Sequence, residues 1–194
     1  MRIKGIGLLL LAAAFFLVLR NEREAEIAGE QAQYIAIKIR QQMAEADRAQ
    51  SGGVLNIQTQ NHSSPTRIEI DGNGYIGILE IPSLQLSLPV LDTWDMENLK
   101  KTPCLYAGSY LENHMVIAGH NYARHFSPIK RLVPGDVVYF LTPDGVKFIY
   151  KVQKQEILGP EQIEEMLEEE WNLTLFTCTT GGQKRCAIRC MREI

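Results

Sequence analysis

The chain has 194 residues, 45% of them hydrophobic and 22% charged, which suits one folded domain with accessory segments and excludes a wholly disordered chain. Its formal net charge is only -3, and its 20 lysines and arginines are scattered. No phosphate-tracking surface is implied, so nucleic acid is excluded as a partner.

The N-terminus opens with Arg2 and Lys4 and then runs uncharged from Gly5 to Leu19, ending at Arg20. An apolar run of this kind targets a membrane, although it is short beside the roughly 17 to 25 residues of an ordinary span. A cleaved signal peptide is the competing reading, but the small-x-small pair Ala44 and Ala46 falls about 25 residues too late for normal processing. Residues 1–20 are therefore read as an uncleaved signal anchor that crosses the cell membrane once, with the remainder extracytoplasmic. Lys and Arg flank the run on both sides, so the positive-inside rule does not set the orientation. The chemistry below does.

Residues 21–50 are rich in Glu, Gln and Ala. Ala28, Ala32, Ile35, Ile39, Met43 and Ala46 keep the spacing of a helical stripe, which predicts a stalk packing weakly on the domain or on a second copy. From Ser51 the chain turns to Gly, Ser, Asn and Gln, and residues 51–72 read as a linker. Asn61-His62-Ser63 fits the glycosylation pattern, which matters only in a eukaryotic secretory pathway.

Residues 73–194 read as short β-segments divided by Gly, Pro and Asp turns. The expected strands are Tyr75–Ile81, Leu84–Leu91, Leu105–Ala107, Met115–Ala118, Val137–Leu141, Lys147–Ile157, Leu173–Thr177 and Arg185–Met191. Eight strands in this span make a mainly β fold, a closed barrel or a sandwich. Short helices are expected at Asp95–Lys100 and Pro160–Glu169, the latter with Ile163, Met166 and Leu167 among glutamates.

Four cysteines lie at 104, 178, 186 and 190, without the spacing of a disulfide framework. On a strand, Cys186 and Cys190 sit roughly 13 Å apart and cannot pair. Cys178 ends the segment Leu173-Thr-Leu-Phe-Thr177, so its thiol is expected at a sheet rim. The loop Thr179–Lys184 then returns the chain to Arg185, making 178 and 185 neighbours across an antiparallel pair. A fixed cation beside a thiol favours the thiolate and can hold a developing oxyanion. Arg189 is the rival cation, since Arg185, Ala187 and Arg189 share one strand face while Cys186, Ile188 and Cys190 share the other. His120 follows Met115-Val-Ile-Ala118 and Gly119, also at a strand end, and imidazole is suited to protonating a leaving amine near neutral pH. His62, His114 and His125 sit in linker or loop segments and receive no role.

Leu173-Thr-Leu-Phe-Thr-Cys178 resembles the sortase signature that ends a barrel strand. Ala118-Gly-His-Asn121 resembles the segment bearing the sortase histidine, and Arg185 falls where that family places its arginine. Gly77-Ile-Leu-Glu-Ile-Pro82 and Leu132-Val-Pro-Gly-Asp136 extend the likeness over residues 73–194. The resemblance implies a closed eight-stranded β-barrel with short inserted helices and a cysteine transpeptidase needing no cofactor or metal. It further implies attack by Cys178 on a Leu-Pro-x-Thr-Gly-like sorting signal of a surface protein or pilin. The acyl group then passes to an amine of a cell-wall precursor or pilin, with His120 moving protons and Arg185 orienting the carbonyl. Asn121, Thr177 and Arg189 are the expected substrate contacts, and residues 157–172 the expected wall of the groove. Three rival readings follow from the residues: a thiol hydrolase on the same scaffold, a non-catalytic membrane-tethered binding module, and a structural zinc site, which lacks a paired-cysteine knuckle.

Overall fold

The computed structural model describes residues 2–51 and 64–193. Its strands are β1 (Ile68–Ile70), β2 (Asn73–Ile81), β3 (Leu86–Leu91), β4 (Cys104–Ser109), β5 (His114–Ala118), β6 (Val137–Leu141), β7 (Lys147–Leu158), β8 (Leu173–Cys178) and β9 (Arg185–Arg192). They follow the order β1-β2-β3-β4-β5-β8-β9-β7-β6. A further antiparallel pairing of β2 with β6, Ile78 opposite Leu141 and Glu80 opposite Tyr139, closes the eight strands from β2 to β9 into a barrel. Closure leaves those strands no free edge to template association.

Each expected strand is present, with ends shifted by a few residues. The second begins at Leu86 because Pro82–Leu84 forms a 3-10 turn with Gln85 in the left-handed region at φ 53°. The stretch read as linker ends earlier than expected. Ile68-Glu69-Ile70 pairs with β2 as β1, a three-residue strand too short to display a period in sequence. Asn61-His62-Ser63 lies outside the described residues.

Alternation of side chains builds two layers around the barrel wall. Met115, Ile117, Val138, Phe140, Tyr150, Val152, Leu173, Leu175, Cys186, Ile188 and Cys190 fill the interior. On the outer face Val116, Ala187, Leu158 and Met166 form a second cluster, with Tyr106, Leu167 and Phe176 packed against it. Its cover comes from the β7–β8 connection, whose helix α3 spans only Ile163–Met166, shorter than the segment Pro160–Glu169 suggests. The earlier helix α2 (Met96–Lys101) starts where Asp95 Oδ1 accepts hydrogen bonds from the Glu97 and Asn98 amides at 2.8 and 2.7 Å.

The anchor and the stalk are one helix, α1 (Arg2–Ser51). It does not stand off the barrel. Ala36 and Ile39 pack on Ile70, Tyr75, Ile78, Leu91 and Cys104, and Lys38 and Arg40 pair with Asp71 and Glu80 at 2.9 and 2.5 Å. Burial does most of the holding, since exposed ion pairs contribute about 0–1 kcal/mol each. Ala25, Ala28 and Ala32 are buried as well, while Ala46 of the expected stripe is exposed. The large apolar side chains from Leu8 to Leu19 are 42 to 71% exposed. Among the described residues no helix is long and apolar enough to cross a membrane. The side chains of residues 1–6, which belong to the expected anchor, lie outside the described set.

Candidate active site

Cys178 and Arg185 are register partners, the last residue of β8 opposite the first of β9. Residues directly opposite bring their Cβ atoms to about 5 Å, on one face of the sheet. Both side chains are half-buried, on the outer face that also carries Phe176 and Ala187. The loop between them closes because Thr179 N donates to Lys184 O at 2.9 Å and Gly182 N to Thr179 O at 2.8 Å. Gly181 and Gly182 have φ of +90° and +74°, where a side chain would be strained. Nη1 of Arg185 donates to the Gly182 and Lys184 carbonyls at 3.0 and 3.2 Å, holding the side chain at the mouth of the loop. Among the described residues its Nε and Nη2 have no protein acceptor, which leaves donors for a substrate carbonyl.

His120 arrives from the other side of β8. Strands β5 and β8 run parallel with Ala118 opposite Phe176, and Gly119 N extends the ladder to Phe176 O at 3.0 Å. Two residues beyond each partner lie His120 and Cys178, so the imidazole leaves its strand where the thiol ends its own. Its ring is half-buried and stacks on Tyr122 with centroids 3.9 Å apart. Burial lowers the His120 pKa below its ordinary 6.5; the Lys100 charge adds to this and Glu24 opposes it. Three adjacent strand ends thus bring a thiol, an imidazole and a guanidinium to one rim.

The expected substrate contacts fare differently. Asn121 is half-buried and its Oδ1 accepts from Lys130 Nζ, which ties the histidine loop to the 3-10 segment Ser127–Arg131. Thr177 is corrected: it is 1% exposed and alternates with Cys178, pointing inward like Leu173 and Leu175. Arg189 is corrected too, being fully buried. Its Nε donates to Glu156 Oε1 at 2.6 Å and its Nη1 to Met166 O and Thr174 Oγ1 at 3.1 and 3.0 Å, while Nη2 donates to Glu165 O. Arg189 is therefore a strut that straps the α3 segment to the barrel. The sequence showed which face Arg189 occupies but not that the α3 segment covers it.

A feature that the sequence reading missed is an aromatic row beside the thiol. Phe176, two residues before Cys178 on the same face, meets Tyr106 of β4 edge-to-face at 5.2 Å, and Tyr106 meets Trp94 likewise at 5.4 Å. Trp94 is 42% exposed, so the row reaches the surface. Nothing in local spacing links residues 94, 106 and 176. Among the described residues no group of His, Cys, Asp or Glu is arranged to hold a metal.

The family model described as "Sortase domain" matches residues 79–193. Among solved structures, a sortase C1 from Streptococcus suis is 26% identical with a TM-score of 0.54, covering 62% of this chain and 73% of its own. A Clostridium perfringens sortase C, described with the C-terminal cell wall sorting motif, is 21% identical with a TM-score of 0.57, covering 83% and 90%. A sortase D5 transpeptidase from Clostridium perfringens is 16% identical with a TM-score of 0.63, covering 85% and 99%. No curated protein matches the chain.

Proposed function

The chain belongs to the sortase family of cysteine transpeptidases, and from that premise we propose that it cleaves a Leu-Pro-x-Thr-Gly-like sorting signal and passes the acyl group to an amine of a cell-wall precursor or pilin. The observation that carries this reading is the register pairing of Cys178 with Arg185, flanked by His120 at the next strand end. The Cys178 thiol passes its proton to His120 as its sulfur attacks the threonine carbonyl carbon, and the Arg185 donors hold the oxygen as it becomes anionic. When the C–N bond breaks, His120 gives its proton to the departing glycine amine. The incoming amine then attacks the thioester and loses a proton to His120, and the thiolate leaves.

The aromatic row Phe176–Tyr106–Trp94 is an apolar wall next to the thiol, suited to the leucine and proline that precede the scissile bond. The C-terminal cell wall sorting motif present with the Clostridium perfringens sortase C supports a substrate of the same class. We place the enzyme at the cell membrane through the N-terminal run, with the barrel extracytoplasmic. The exposed side chains from Leu8 to Leu19, unpacked against the barrel, favour that placement, and membrane fractionation with protease protection tests it.

The deciding experiment incubates the protein with a sorting peptide, with and without an amine acceptor, and weighs the products. A peptide–amine adduct together with a thioacyl adduct on Cys178 is expected. Hydrolysis product alone in both arms would shift the reading to a thiol hydrolase, and Cys178→Ala turning over normally would end it.

A further inference from the structure

A catalytic imidazole is ordinarily oriented by an acceptor on one ring nitrogen. His120 has none: its Nδ1 is buried and, among the described residues, without a hydrogen-bond partner. What the ring has instead is a face. Tyr122 stacks on it with planes 24° from parallel. Tyr122 is itself held firmly, being 5% exposed. Its amide donates to His120 O at 2.8 Å, and its carbonyl accepts from the amides of His125 and Ser127, each at 3.1 Å.

Tyr122 is also covered by α1. Ala25 and Ala28 form a small apolar cluster with the phenol ring. At the next residue, Gly29, a Cβ would fall 2.4 Å from Cδ of Arg124, in the same loop as Tyr122. The helix thus places two alanines and a glycine against Tyr122 and Arg124 of the histidine loop, where a larger side chain at Gly29 would displace Arg124. His125, fully buried beside the same helix, tilts against the other ring of this stack at 5.7 Å.

We propose that Tyr122 is a positioning residue for His120, and that α1, clamping Tyr122 through Ala25, Ala28 and Gly29, is a working part of the active centre as well as a tether. The inference rests on His120 being the proton-transfer group of the proposed reaction. Without a hydrogen bond to fix it, the imidazole keeps its plane only while a second ring occupies its face. The charged and titratable groups around it are Glu24 of α1, Lys100 of α2 and His125 of its own loop.

The test uses the full chain in detergent micelles with two readouts, turnover of a sorting peptide in the presence of an amine and the His120 titration followed by the NMR signal of its Cε1 proton. Tyr122→Ala is expected to lower kcat about ten- to a hundredfold, the scale of a misplaced catalytic group, with KM within about twofold. Its His120 midpoint should rise toward that of a wetted histidine. Tyr122→Phe, which keeps the stacked ring, should restore the midpoint and most of kcat. Ala25→Leu with Ala28→Leu, which lifts the helix without adding charge, should reproduce Tyr122→Ala and add little to it. If Tyr122→Ala does not fold, Tyr122→Leu fills the volume without a stacking plane and is read the same way. An unchanged midpoint and kcat in folded Tyr122→Ala or Tyr122→Leu would overturn the positioning role, and an unchanged helix variant would overturn the role of α1. If no variant, the wild type included, acylates on the peptide, the transpeptidase reading fails, while the titration still decides whether Tyr122 and α1 hold His120.

Discussion

Burial separates the four free cysteines by reactivity. Cys104, Cys186 and Cys190 are buried while Cys178 is only half-buried. Burial pushes the Cys104 thiol up to about 12 and raises Cys186 and Cys190 as well, so their reactive thiolates are scarce at neutral pH. A small alkylating reagent should therefore give one adduct on the native protein, located by peptide mass at Cys178, and abolish turnover; Cys104→Ser should leave turnover unchanged. The two arginines separate in the same way. Arg185→Ala should cut turnover and spare the unfolding midpoint. Arg189→Ala removes a cation that satisfies Glu156 and three other acceptors, and should cost about 3 kcal/mol of stability in a denaturant titration. Turnover that is unchanged in Arg185→Ala would overturn the oxyanion role assigned to that residue.

At the scale of elements, the contact between α1 and the histidine loop encloses a histidine that cannot easily charge. Burial takes His125 from 6.5 down to about 4, with the Ala28 backbone opposing and His120 adding slightly. Its folded pKa lies below the unfolded one, so the unfolded state binds the proton first. Stability is full above about pH 6.5, is lost as the pH falls toward 4, and the loss reaches about 3 kcal/mol at 1.36 kcal/mol per unit. Urea midpoints measured from pH 7 to 4 should show this slope in the wild type and a shallower one in His125→Phe, which keeps the ring volume without the titrating group. Equal slopes would mean that other groups carry the acid sensitivity. The α3 segment is held differently, by Arg189 reaching its carbonyls at Glu165 and Met166.

Over the whole molecule, α1 completes a core that the barrel leaves open. Ile39, fully buried, covers Tyr75, Ile78, Leu91 and Cys104. Ile39→Ala should lower the unfolding free energy by about 2–4 kcal/mol. It should also let Cys104 alkylate during partial opening, seen as a slow second adduct absent from the wild type. Stability that stays level would mean the helix merely rests on the barrel.

Much of this was legible in the residues alone. Eight strands, the rim positions of Cys178 and His120 and the shared face of Arg185 and Arg189 all follow from a period of two and from turn residues, which are local properties. The strand Ile68–Ile70 was not legible, because three residues carry no period and pair only when β2 offers an edge. Alternation says that two residues share a face, but not whether that face is open. Only the folded chain shows that the α3 segment seals Arg189, that Thr177 points into the barrel, and that Trp94 and Tyr106 continue the row begun by Phe176. Likewise the small residues of α1 promised a helix in contact with something, and only long-range packing decided that they meet Tyr122, since what covers a surface is set by segments far away in the chain.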